Sequence, residues 1–143
     1  MSAASDHRVF HLLQLAAHRV KTHADRRSLA LTGVTAAQAA VMHVISRAPD
    51  ATQKAVADQL KQKESAITAM VARLMEGGFV HRAPSPTDRR AWALNLTPKG
   101  QSALSEFRAP LSELNATLTK ALGGDAQVES FALDLKAILD AKL

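Results

Sequence analysis

The most constraining feature is the stretch from Ala51 to Gly100, where two helix-like segments with a tight turn between them run directly into a charged hairpin. In the second segment Ile67, Met70, Val71 and Leu74 recur at i, i+3, i+4 and i+7, a narrow apolar stripe that must face a core. The opposite face carries Ser65, Thr68, Ala69, Ala72 and Glu76, with Arg73 at its edge. Small and hydroxyl side chains let a helix come close to a rigid surface and bond to phosphates or base edges there. Gly77-Gly78 stops this helix. Residues 79–83 and 91–96 then read as short strands around Pro84-Ser85-Pro86-Thr87-Asp88-Arg89-Arg90, a turn-rich basic tip.

That order of elements is a winged helix-turn-helix, and its residues resemble those of the MarR family of bacterial transcription regulators. The likeness rests on Val56-Ala57-x-x-Leu60, on Thr68-x-x-Val71-x-Arg73-Leu74, and on Asp88-x-Arg90 followed by Leu96-Thr97 and Lys99-Gly100. It covers roughly residues 50 to 100, and elsewhere only the helical pattern agrees. Two departures stand out. Lys61-Gln62-Lys63 replaces the family's usual glycine, apolar and small hydroxyl residues, and Ala69 stands where a basic or polar residue is common. Lys61 fits the turn if its φ stays negative.

Around this stretch the chain reads as helices. One runs from about Asp6 to Leu29, with Val9, Phe10, Leu12, Leu13, Ala16, Ala17 and Val20 giving a broad apolar side. A second, capped by Thr35, reaches about Arg47 before Pro49 ends it, and Val41, Met42, Val44 and Ile45 form its core face. Gln53 to Leu60 and about Glu64 to Glu76 are the helix-turn-helix pair. Thr97-Pro98 starts a long helix with a seam of Leu104, Phe107, Leu111, Leu114, Leu118 and Ala121, in which Pro110 is expected to mark a bend. After Gly123-Gly124, Asp125 is expected to cap a last helix with Val128, Phe131, Leu135, Ile138 and Leu139 inward.

The expected architecture is therefore mainly α with a small β-hairpin wing, in a single domain of residues 1–143. Residues 32–100 form the winged helix-turn-helix core, and residues 1–31 and 101–143 supply N- and C-terminal dimerisation helices. A single reading head covers few base pairs, so such modules pair to engage two half-sites about 34 Å apart. The resemblance implies the same: a homodimer joined through its terminal helices on a pseudo-palindromic double-stranded operator.

Charge is distributed to match. Residues 51–100 hold eight Lys or Arg against four Asp or Glu, whereas residues 101–143 hold four against six. A basic working segment suits a polyanion. The absence of cysteine excludes disulfides and thiol sensing. No run of 18 apolar residues is present, so no membrane partner is expected, and the cytoplasm is the expected location. No Gly-rich phosphate loop, nucleophile elbow or paired carboxylates appear, so neither enzyme activity nor a cofactor is expected.

Candidate DNA-binding residues are Lys63, Ser65, Thr68 and Arg73 on the second helix, Arg89 and Arg90 at the wing tip, and Lys54 and Arg82 as phosphate contacts. The resemblance implies that Arg90 enters the minor groove. Asp88 would shape the tip by bonding the hairpin backbone or pairing with an arginine. His7, His11 and His18 share roughly one side of the first helix, spaced by four and eleven, and His23 and His43 lie on nearby segments. Without a carboxylate or thiolate beside them they define no metal site. Instead, His11, His18 and His43 are candidates to line a pocket between the dimer layer and the winged domain, where the resemblance implies a small-molecule effector. Arg8, Arg19 and Trp92 read as surface charge and packing. The expected function is a sequence-specific transcriptional regulator, a repressor relieved by a small ligand. The alternatives are a metal-responsive regulator of the same fold and a winged-helix protein-interaction module that does not bind DNA.

Overall fold

Three helix starts on this chain follow from a threonine hydroxyl able to take up a backbone N–H group that a first turn leaves without a partner. The computed structural model describes residues 3–143, with side chains from residue 8 onward. Six helices and one hairpin follow in order: α1 (Ala3–Thr32), α2 (Ala36–Arg47), α3 (Gln53–Leu60), α4 (Glu64–Glu76), β1 (Val80–Pro84), β2 (Trp92–Leu96), α5 (Pro98–Leu122) and α6 (Asp125–Asp140). The chain divides into two compact units, Met1–Arg108 and Ala109–Leu143.

Thr35 caps α2 in a capping box: its hydroxyl accepts from Gln38 N at 3.1 Å, and Gln38 Oε1 accepts from Thr35 N at 2.9 Å. A third N–H of that end, on Ala36, donates to Asp25 Oδ1 of α1 at 2.8 Å, fastening the first helix to the second. Thr52 caps α3 through Ala55 N at 3.1 Å. α1 runs three residues past Leu29, because Thr32 turns its hydroxyl back to Ser28 O at 2.8 Å and Gly33, at φ 78°, then ends the helix.

Two expectations are corrected. Lys61 takes the left-handed region at φ 51°, ψ 43°, not a negative φ. The turn closes by Gln62 N reaching back to Ala57 O at 3.0 Å, and that closure requires a left-handed residue at the position Lys61 occupies. Asp125 does not cap α6: Gly124 holds the cap position with no side-chain bond, and Asp125 is the first helical residue. There its charge sits at the helix's positive end without capping it. Pro110 lies inside α5, which is continuous across it, and the boundary between the two compact units falls just before it, at Arg108 and Ala109.

The core of the first unit is built from α2, α3, α4, the hairpin and the start of α5, which contributes Ala103. Met42, Ile45, Val56, Ile67, Val71, Leu74 and Leu94 are all almost fully buried, each side chain contributing about 1.5–3 kcal/mol of transfer free energy. The stripe on α4 therefore faces inward, and Met70 packs against the same cluster. β1 and β2 pair antiparallel with Val80 opposite Leu96 and Pro84 opposite Trp92. Ala51 extends the hairpin by a single bridge, its carbonyl accepting from Leu94 N at 2.9 Å.

The end of α4 is held by the segment that opens α5. Thr97 donates its hydroxyl to Gly78 O and its backbone N–H to Phe79 O, the latter at 3.0 Å. Lys99 Nζ donates to Gly77 O at 2.6 Å and lies over the Phe79 ring at 4.5 Å. Gly100 passes so close to the Phe79 carbonyl that a Cβ there would overlap its oxygen. The Thr97-x-Lys99-Gly100 residues are thus a latch between the end of α4 and the segment that follows the hairpin.

In the second unit Pro110 is buried and Leu114, Leu118, Leu122, Val128 and Leu135 are half-buried, and the face expected inward on α6 is not enclosed, since Phe131, Ile138 and Leu139 are exposed. Leu133 and Leu139 of α6 are 66% and 69% exposed, and no residue of that helix is buried. On α1, Val9, Phe10, Leu12 and Leu15 are likewise more than half exposed.

Candidate nucleic-acid interface

The outward surface of α4 presents Ser65, Ala69, Ala72 and Glu76, with Thr68 and Arg73 on its flanks, all exposed. Ser65, Ala69 and Ala72 are short, so over that part of the face the helix axis can come close to a partner surface, with Glu76 the one long, acidic side chain at its C-terminal end. Lys63 stands at its start as an N-cap with no side-chain bond, so the N–H groups of that end are not taken up by a cap.

Thr68 is less free than its position suggests. Its hydroxyl lies 2.7 Å from Gln53 Oε1 and 2.9 Å from Glu64 O, both acceptors, so its one proton is committed within the protein. What Thr68 offers outward is a lone pair and a methyl group, which suit a base edge better than a phosphate oxygen. Gln53 also ties α3 to α4 across the turn.

At the wing tip the backbone is organised by two short side chains. Ser85 Oγ accepts from Thr87 N at 3.3 Å and Asp88 N at 3.2 Å, and Asp88 Oδ1 accepts from Arg90 N at 2.9 Å. Ser85 N and Ala91 O close the loop at 3.0 Å. The Asp88 carboxylate therefore serves the loop backbone, and the Arg89 and Arg90 side chains are exposed beside it. Two cations at the end of a hairpin with a fixed tip form a compact positive probe.

Arg82 of β1 and Lys54 of α3 are exposed as well. Arg82 lines a concavity of about 420 Å³ together with Gln53, Thr68, Val71, Ala72, Met75 and Glu76, in the angle between α4 and the hairpin. Its guanidinium carbon lies 4.6 Å from the centroid of the Trp92 ring. Trp92 was not legible as part of the site from sequence, because its nearness to Arg82 depends on the strand register. Asp50 and Asn95, which join the loop before α3 to β2, went unread for the same reason.

His11 and His18 on α1 and His43 on α2 are exposed. The concavity beside α4 includes none of them. The side chain of His7 lies outside the described residues. Among the described residues, no three His, Cys, Asp or Glu side chains gather as a metal site would require. No single described helix is long and apolar enough to cross a membrane.

Comparison with known proteins places this geometry. Residues 32–91 match the model described as the MarR family. The chain is 33% identical over 107 residues to the multiple antibiotic resistance protein MarR of Salmonella typhimurium, covering 74% of each. It is 37% identical over 75 residues to a Thauera aromatica protein described as a candidate transcriptional regulator of the hcr operon, covering 52% of this chain but only 45% of that one. The match thus spans less than half of that relative's length. Among solved structures, a MarR variant from E. coli in complex with operator DNA superposes with a TM-score of 0.75 at 29% identity, over 89% of this chain and 93% of that one.

Proposed function

This chain belongs to the MarR family of DNA-binding transcription regulators, and we propose that it acts as a cytoplasmic homodimeric repressor on a pseudo-palindromic operator. The observation that carries this reading is the wing tip, where Asp88 turns onto the Arg90 N–H and both arginines are left exposed next to a recognition helix with a short-side-chain face. α4 enters the major groove with Ser65, Thr68 and Arg73 near base edges and Lys63 at a phosphate. Arg90 enters the adjacent minor groove, with Arg89, Arg82 and Lys54 on the backbone. The exposed apolar faces of α1 and α6 supply the pairing surface. A family resemblance in a DNA complex of a 29% identical protein supports this mode of docking.

Relief of repression follows from linkage. A small molecule that binds better to the dimer in a spacing unsuited to two half-sites lowers DNA affinity by that difference in affinity. His11, His18 and His43 are the candidates to meet such an effector in the assembled dimer. The reading assigns the chain no catalysis and no cofactor.

The test is anisotropy of labelled duplex from the chain's own upstream region, titrated at several salt concentrations with wild type and Arg89→Ala/Arg90→Ala. Tight binding that the double variant loses, with a log-log salt slope of about 0.9 per phosphate neutralised, is the expected result. Equal affinity of the two proteins would remove the wing from the interface.

A further inference from the structure

Trp92 is the chain's one tryptophan, and it is 46% exposed at the first position of β2. An indole in that position is not anchoring a core. The pairing of Pro84 with Trp92 and of Arg82 with Leu94 makes Arg82 and Trp92 diagonal neighbours on one face of the hairpin. There the guanidinium lies over the ring at 4.6 Å, within reach of the ring's negative face.

Where the guanidinium lies flat on the ring, the contact uses only one face of it. Its N–H groups all point along the edges of the plane and remain free to donate, and those edges are what match a phosphate in a two-bond fork. A neutral ring also leaves the charge undiminished, as a carboxylate partner would not. An arginine held this way has fewer rotamers to lose when it binds, so less of the contact is spent on ordering a flexible side chain. The same Arg82 lines the angle between the flank of α4 at Thr68 and Ala72 and the hairpin. In the proposed docking, the DNA backbone passes there between the groove read by α4 and the groove entered by the wing.

We propose that Trp92 is a positioning residue of the DNA interface, which by stacking holds Arg82 with its N–H edge toward a backbone phosphate at the base of the wing. This rests on the reading of the chain as a DNA-binding regulator.

The experiment compares duplex affinity for wild type, Trp92→Ala, Trp92→Phe, Arg82→Ala and the double variant Arg82→Ala/Trp92→Ala, using the full chain. Trp92→Ala weakens binding about two- to five-fold, the size of an exposed cation–π contact, and Trp92→Phe retains most of the affinity. In the Arg82→Ala background the further change at Trp92 costs nothing. An equal loss from Trp92→Ala in both backgrounds assigns the ring to packing of the hairpin and overturns the proposal, as does an unchanged affinity of Trp92→Ala. A wild type that binds no duplex at all removes the underlying reading, and is distinct from either result because in both of those the wild type still binds. The single indole supplies a second measurement: Arg82→Ala changes the tryptophan emission of the free protein, and an unaltered spectrum overturns the stack.

Discussion

Asp50 and Asn95, 45 residues apart in the chain, exchange two hydrogen bonds: the Asn95 amide donates to Asp50 Oδ1 at 2.9 Å and accepts from the Asp50 backbone N–H at 3.2 Å. Asp50 itself sits at φ 63°, a conformation that Asp tolerates better than most residues. The pair joins the loop before α3 to the second strand of the wing, next to the bridge between Ala51 and Leu94. The wing is thereby fastened to the helix-turn-helix from two sides, by this clasp and by the Thr97–Lys99 latch on the end of α4.

Asn95→Ala removes one side of the clasp and leaves the Asp50 N–H without its side-chain acceptor. A loss of about 1 kcal/mol in unfolding free energy is expected, since the pair is solvent-accessible. Chemical denaturation checks it; an unmoved midpoint would show that water replaces the clasp without cost.

Asp88→Ala sets geometry against charge. The change makes the tip more positive, which by Coulomb attraction alone would tighten DNA binding. It also frees the Arg90 N–H and loosens the turn that fixes both arginines. Weaker binding at every salt concentration is the expected outcome in an anisotropy titration. Tighter binding would mean that net charge, and not the shape of the tip, governs the contact.

Lys61→Gly relieves a side chain held in the left-handed region at φ 51°. That conformation costs a non-glycine residue about 1–2 kcal/mol, and glycine's extra freedom in the unfolded chain returns about 0.5–1 kcal/mol. A net gain of up to about 1.5 kcal/mol is expected, read as a higher melting temperature. A lower one would show that contacts of the lysine outweigh the strain.

Phe10→Glu probes pairing without touching a core. Phe10 is 67% exposed in the single chain, so the charge has little effect on folding of one copy. In a dimer that covers α1 it would be buried beside apolar side chains, at a cost of several kcal/mol. Sedimentation is expected to shift from a dimer to a folded monomer; a persistent dimer would place the interface elsewhere.

Much of the fold was legible because its signals are local. The caps at Thr35 and Thr97 and the stripe Ile67, Met70, Val71, Leu74 act within one or two helical turns, so spacing alone locates them. The candidate DNA-facing residues were legible as a list, since helical periodicity tells an outer face from an inner one. Their roles were not. That the proton of Thr68 is committed, that Arg82 rests on Trp92, and that Lys99 holds the Gly77 carbonyl all depend on partners 15, 10 and 22 residues away.

Sequence by itself determined where each helix begins and ends to within a few residues, which side of α4 is buried, and the basic tip between two strands. Each of these is settled by interactions between near neighbours, whose geometry follows from the backbone repeat. Tertiary structure alone decided the Asp50–Asn95 clasp, the Arg82–Trp92 stack and the left-handed Lys61. The first two need the hairpin's register before their members can meet, and the last is forced by closing α3 onto α4, a constraint that outweighs the lysine's own preference for negative φ.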